Sequence, residues 1–154
     1  MRRYILALLA MLPLVAHAEI PAIANLGKSA SQQRKVEHTS VGSFMLGMAS
    51  TFADKEQREV FKMLDNIEMI ECKNREYGPT LLRRVMSIVE SVGAQHIGSH
   101  DDGTAQNELY GVYRGDNISE LIIIVKSHSG DLNIVCMSGN IPEHRLADIA
   151  KIKQ

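Results

Sequence analysis

Residues 119–138 read Ser119-Glu-Leu-Ile-Ile-Ile-Val-Lys126, then Ser127-His-Ser-Gly-Asp131, then Leu132-Asn-Ile-Val-Cys-Met-Ser138. Two short runs rich in β-branched residues, joined by a segment of turn formers, describe a hairpin. In both runs the apolar residues fall on both parities, whereas a sheet with one wet face alternates apolar and polar. These strands are therefore expected to be covered on both faces, by a helix of this chain or by the same surface of a second copy.

Working outward, Leu109 to Arg114 and Ala94 to Ser99 form two more strands, separated by the turn formers Gly115-Asp-Asn117 and His100-Asp-Asp-Gly103. Upstream, Leu81, Leu82, Val85, Met86, Val89 and Val92 make a stripe of period 3.6 that opens after Gly78-Pro79 and ends at Gly93, a C-cap glycine. Ile67 to Cys72 is short and partly alternating, consistent with a strand. Asp54, with Gln57 three residues on, is a candidate N-cap for a helix carrying Val60, Phe61 and Leu64. Val41, Phe44, Met45, Met48, Ala49 and Phe52 recur at spacings of three and four, which predicts a first helix with one apolar face. A short helix entered at Pro142 closes the chain. Helices first and then adjacent strands with short connections predict an α+β fold: an antiparallel or mixed sheet of four to five strands with helices packed mainly on one face.

The N-terminus has a different composition. Arg2 and Arg3, an apolar run from Tyr4 to Val15 and the small-x-small end Ala16-His17-Ala18 are laid out as a secretory signal peptide, with cleavage expected before Glu19. The run is broken by Pro13 and is shorter than the ~20 residues of a spanning helix, so no stable membrane anchor is expected after cleavage. Residues 19–40, polar through Lys28 to Ser40, read as a tether, with a short helix lying on the domain as the alternative. Residues 41–154 then form a single domain. The expected location is periplasmic or secreted.

The chain has 154 residues, 17 basic and 18 acidic, for a formal charge of -1. That balance supplies no field for a polyanion, so nucleic acid is not an expected partner. The two cysteines, Cys72 and Cys136, fall in apolar strands, where burial as thiols is the leading reading. A disulfide in an oxidising compartment is the second and a reactive nucleophile the third. His96 and His100, four apart beside Asp101 and Asp102, share one side of an ideal strand and make a possible zinc set, or an ordinary solvated loop. His38, His128 and His144 stand alone among polar neighbours and read as surface. Met45-x-x-Met48 has a spacing that suits copper(I), and equally a core stripe in which methionine fills gaps, which is the leading reading. Glu68 and Glu71 fall on opposite faces of a strand and are best read as solvated. No nucleophile elbow, zincin helix, phosphate-cradling glycine loop or Ser-x-x-Lys occurs, and no catalytic, cofactor or metal residue is assigned.

At Glu120-Leu-Ile-Ile-Ile-Val125, Leu132-Asn-Ile-Val135 and Ser138-Gly-Asn-Ile141 leading into Leu146-Ala-Asp-Ile149, the chain resembles domain-of-unknown-function family 4252, exported proteins found mainly in Bacteroidetes. The likeness takes in the Met-rich first helix and the Tyr110 strand. It implies an exported α+β domain and carries no catalytic residues across. The resulting expectation is a non-enzymatic module of the cell envelope that binds an unknown protein partner or forms a homodimer. The alternative is a small metal-handling protein or hydrolase built on Cys72, Cys136, His96 and His100.

Overall fold

A computed structural model describes residues 19–152. The expected signal peptide, residues 1–18, lies outside the described residues. The element order is α1 (Glu19–Ala30), β1 (Val36–Gly42), α2 (Ser43–Phe52), α3 (Lys55–Met63), β2 (Leu64–Cys72), α4 (Gly78–Ser91), β3 (Gln95–Asp101), β4 (Ala105–Arg114), β5 (Asn117–Ser127) and β6 (Leu132–Pro142). A 3-10 turn (Glu143–Arg145) and α5 (Leu146–Ile152) follow. The strands form one sheet in the order β1-β2-β6-β5-β4-β3, and every neighbouring pair is antiparallel.

The fold is thus α+β, with six strands rather than four to five. The additional strand is β1, which lies in the stretch expected to be a tether. Residues 19–40 are instead α1, a connecting turn and most of β1. Ile23, Leu26 and Ala30 of α1 are buried at a spacing of three and four, so this helix belongs to the core.

Helices lie on both faces rather than mainly on one, as the two-sided apolar strands require. On the first face, Ile23, Leu26 and Ala30 of α1 and Leu81, Val85 and Val89 of α4 pack on Ile70 and Cys72, Ile122 and Ile124, and Leu132, Ile134 and Cys136. On the second, Leu46 of α2, Val60 of α3 and Ile149 of α5 pack on Leu64, Ile118, Leu121 and Ile141. From Leu121 onward, even-numbered residues of β5 look to the first face and odd-numbered ones to the second; the register shift between Ile118 and Glu120 puts Ile118 on the second face as well. The two-sided apolar runs are explained by these two cores.

Local signals act as expected at the ends of α3 and α4. The Asp54 side chain accepts from the Gln57 N–H at 2.8 Å and caps α3. Gly93 takes φ +68 after α4, and the Ala94 N–H reaches back to the Val89 carbonyl at 3.0 Å. No helix among the described residues is long and apolar enough to cross a membrane.

Candidate interaction surface

The periodicity of α2 is real, but its orientation is the reverse of a core stripe. At roughly 100° per residue, Phe44, Met45, Met48 and Phe52 share one face and Ser43, Leu46, Gly47 and Ser50 share the opposite one. The first set is 77%, 55%, 49% and 91% exposed. The second set lines a cavity of about 200 Å³ together with Phe61, Lys62 and Leu64. Only Leu46 is buried. Ser43 and Gly47 remain exposed and Ser50 is half-buried, so Leu46 alone anchors the helix to the second core; Arg58 of α3 ties its end, Nε donating to the Ser50 carbonyl at 3.1 Å and Nη2 to the Ala53 carbonyl at 3.2 Å. Monomeric proteins rarely expose a contiguous apolar patch beyond a few hundred Å², so this helix face is the leading candidate for contact with a partner. Met45 and Met48, expected in the core, are corrected to the surface.

Beyond α5 the same side of the sheet is open. A groove of about 690 Å³ runs over β4 and β5, lined by Leu109, Leu121, Ile123, Val125, Leu146 and Ile149, with His100, Asp102 and Asn107 at its polar edge. The seven-residue α5 is too short to cover it.

The residues of the metal or hydrolase alternative do not converge. Cys72 and Cys136 are buried on β2 and β6, both on the first face, and are not joined by a disulfide. Cys72 pairs with Leu132, four residues from Cys136, an offset of about 13 Å at 3.3 Å per residue. That exceeds the reach of a disulfide. His96 and His100 lie on β3, three strand positions from β6. A register shift between His96 and Gly98 undoes their shared parity. His96 pairs with Tyr110 on the first face, its ring edge-on to Tyr110 at 5.2 Å and its Nε2 2.7 Å from Glu108. His100 pairs with Asn107 and borders the groove on the second. Among the described residues no group of three or more His, Cys, Asp or Glu side chains is placed to hold a metal.

A buried polar network was not legible in the sequence. Glu68, on β2, is 3% exposed. Its Oε1 accepts from Ser40 Oγ at 2.7 Å and from Asn66 Nδ2 at 2.9 Å, and its Oε2 lies 2.7 Å from His38 Nε2. Burial by itself raises the carboxyl pKa; the Asn66, Ser40 and His38 hydrogen bonds and the His38 charge outweigh it, so the group is held below its ordinary value. An ionised carboxylate only accepts, so Nε2 carries the proton. His38 and Glu68 are corrected from surface to interior. They share the first face because His38 pairs with Ile70 and Ser40 with Glu68 across β1 and β2. Gly27 of α1 closes over the imidazole: a Cβ there would fall on His38 Cδ2. The missing signal lay in distance along the chain, since the donors His38 and Ser40 come from the stretch read as a tether.

No curated protein and no solved structure matches the chain. Residues 31–149, which span all six strands, match the family model described as a domain of unknown function (DUF4252), and the chain belongs to that family.

Proposed function

We propose that this protein is an exported, non-enzymatic module of the cell envelope that works by self-association, and that α2 is its contact helix. The observation that carries this reading is the outward apolar face of α2: Phe44, Met45, Met48 and Phe52 are exposed, and Leu46 alone is buried. A second copy suits that surface because the stripe is self-complementary. In an antiparallel pairing about a two-fold axis at Met48, Phe44 of one copy faces Phe52 of the other and the two Met48 side chains meet. The area is also adequate. At about 225 Å² for a fully exposed side chain of this size, the observed exposures leave about 600 Å² per copy and about 1,200 Å² for two, the lower end of stable interfaces. Export is supported by the basic, apolar and small-x-small order of residues 2–18.

The expected result is a protein that is recovered from a periplasmic extract with Glu19 at its N-terminus and that sediments as a dimer at micromolar concentration. The double variant Phe44→Asp, Phe52→Asp is expected to sediment as a monomer with an unchanged circular dichroism spectrum, because neither side chain is in a core. A wild-type monomer at every concentration would overturn self-association. If that monomer instead captured another envelope protein through α2, the surface would stand with a different occupant.

A further inference from the structure

At the other end of the strands, three turns meet around a hollow of about 560 Å³ lined by Arg34, Lys35, Lys73, Asn74, Arg75, Glu76 and Asp131. Arg34 and Lys35 come from the turn between α1 and β1, Lys73 to Glu76 from the turn between β2 and α4, and Asp131 from the β5–β6 turn. We propose that this hollow is a binding site for a phosphate-bearing ligand, a phosphomonoester or diphosphate.

Beyond residue 18 the chain carries 15 basic and 18 acidic residues, a net charge of -3, yet four cations converge here. Among the described residues none of Arg34, Lys35, Lys73 and Arg75 forms an ion pair. Glu76 and Asp131 bring the formal charge of the lining to +2, which matches the -1.5 to -2, roughly, of a phosphomonoester at neutral pH. Four unpaired like charges in one hollow repel, and a bound dianion relieves that repulsion.

The hollow is also built rather than left open by loose loops. Asn74 ties its walls together: Nδ2 donates to the Arg34 carbonyl at 3.1 Å, and Oδ1 accepts from the Glu76 and Tyr77 N–H groups, each at 3.1 Å. The Lys73 N–H donates to the Lys35 carbonyl at 2.9 Å, and Lys35 itself holds φ +60. Arg75 lies along the Gly130 backbone: a Cβ on Gly130, whose φ is +99, would sit 3.4 Å from Arg75 Cγ, Cδ and Nε. Because hydrogen bonds hold the backbone that presents these cations, closing on an oxyanion orders side chains and not whole loops, which lowers the entropy cost. Arginine adds a planar fork that meets phosphate oxygens in pairs.

Calorimetric titration of the mature protein with inorganic pyrophosphate at low ionic strength tests the proposal. The expected result is saturable binding that weakens as salt rises. It is expected to weaken at least ~10-fold in Lys73→Glu, Arg75→Glu, two exposed positions whose reversal relieves the repulsion in the hollow and leaves the circular dichroism spectrum unchanged. Phosphatidylcholine vesicles containing phosphatidic acid separate the two sources of the group. Co-sedimentation that pyrophosphate reverses assigns a lipid phosphomonoester headgroup, and pyrophosphate binding without co-sedimentation assigns a soluble ligand. No saturable binding of either probe, or equal affinity in the charge-reversed variant, would overturn the site. The Phe44→Asp, Phe52→Asp variant is expected to bind pyrophosphate as wild type does, so the two proposals fail separately.

Discussion

Gly139→Ala is expected to destabilise the protein by about 3 kcal/mol, the upper end of the range for inserting atoms into a packed site. Gly139 on β6 pairs with Leu64, at the point where β2 slips register between Leu64 and Asn66. A Cβ at Gly139 would fall on the Met63 carbonyl oxygen and lie 2.9 Å from Leu64 Cα. These are backbone atoms, so no rotamer change relieves the clash. Helix α3 runs into β2 without a connecting residue, and its last turn is therefore pressed onto β6. Moving that junction displaces Val60 and Leu64, both buried in the second core. Denaturant unfolding is the measurement, with Gly47→Ala as control. A Cβ at Gly47 meets nothing within 4 Å, and the position is helical, so alanine there is expected to be neutral or to stabilise by up to about 1 kcal/mol. A Gly139→Ala protein within about 0.5 kcal/mol of wild type would contradict the close approach.

What was legible in the sequence follows from what periodicity reports. Leu121 to Val125 and Leu132 to Met137 are apolar on both parities, and helices lie on both faces, with the second left open beyond α5 by the groove along Ile123 and Val125. Period and parity say which residues share a face; they do not say what that face meets. Phe44, Met45, Met48 and Phe52 therefore grouped correctly and were assigned to the wrong side, because the single residue of α2 that the second core takes in is Leu46, on the opposite face. Strand β1 was hidden for a related reason. The residues that follow Val36 on its face are His38 and Ser40, polar groups tied to Glu68, 30 and 28 positions away; the His38 side chain is largely covered and Ser40 stays exposed. Helix α1 carried a legible pattern at Ile23, Leu26 and Ala30, interrupted by Gly27, which is small because His38 lies beneath it. His96 and His100 show the remaining limit: one extra residue in β3 reverses parity, and nothing in the spacing of two histidines announces a bulge.

The Glu68 network is where sequence and stability are most tightly linked, and its loss is expected to show a distinctive pH dependence. Glu68→Ala leaves the donors of His38, Ser40 and Asn66 without their acceptor; Ser40 is exposed and Asn66 half-buried, but the His38 ring stays under Gly27 of α1. The expected cost at neutral pH is about 3 kcal/mol. Glu68→Gln keeps the shape but not the charge, and is expected to cost about 1–2 kcal/mol under the same conditions. The folded carboxyl titrates below its ordinary value of 4.5, because the Asn66, Ser40 and His38 interactions overcome the opposing effect of burial. As pH falls, the unfolded chain therefore takes up this proton first, and protonation favours unfolding. The stabilisation is complete above the unfolded value and is lost as pH drops through the folded one. Wild-type stability should accordingly fall on acidification below about pH 4.5, and the gap to Glu68→Gln should close over the same interval, since the variant has no carboxyl to protonate there. Denaturant midpoints measured from neutral to acid pH give the gap directly. A gap that stays constant across the interval would show that the three donors stabilise the side chain's shape and not its charge, and would remove the electrostatic reason for a buried glutamate in this sheet.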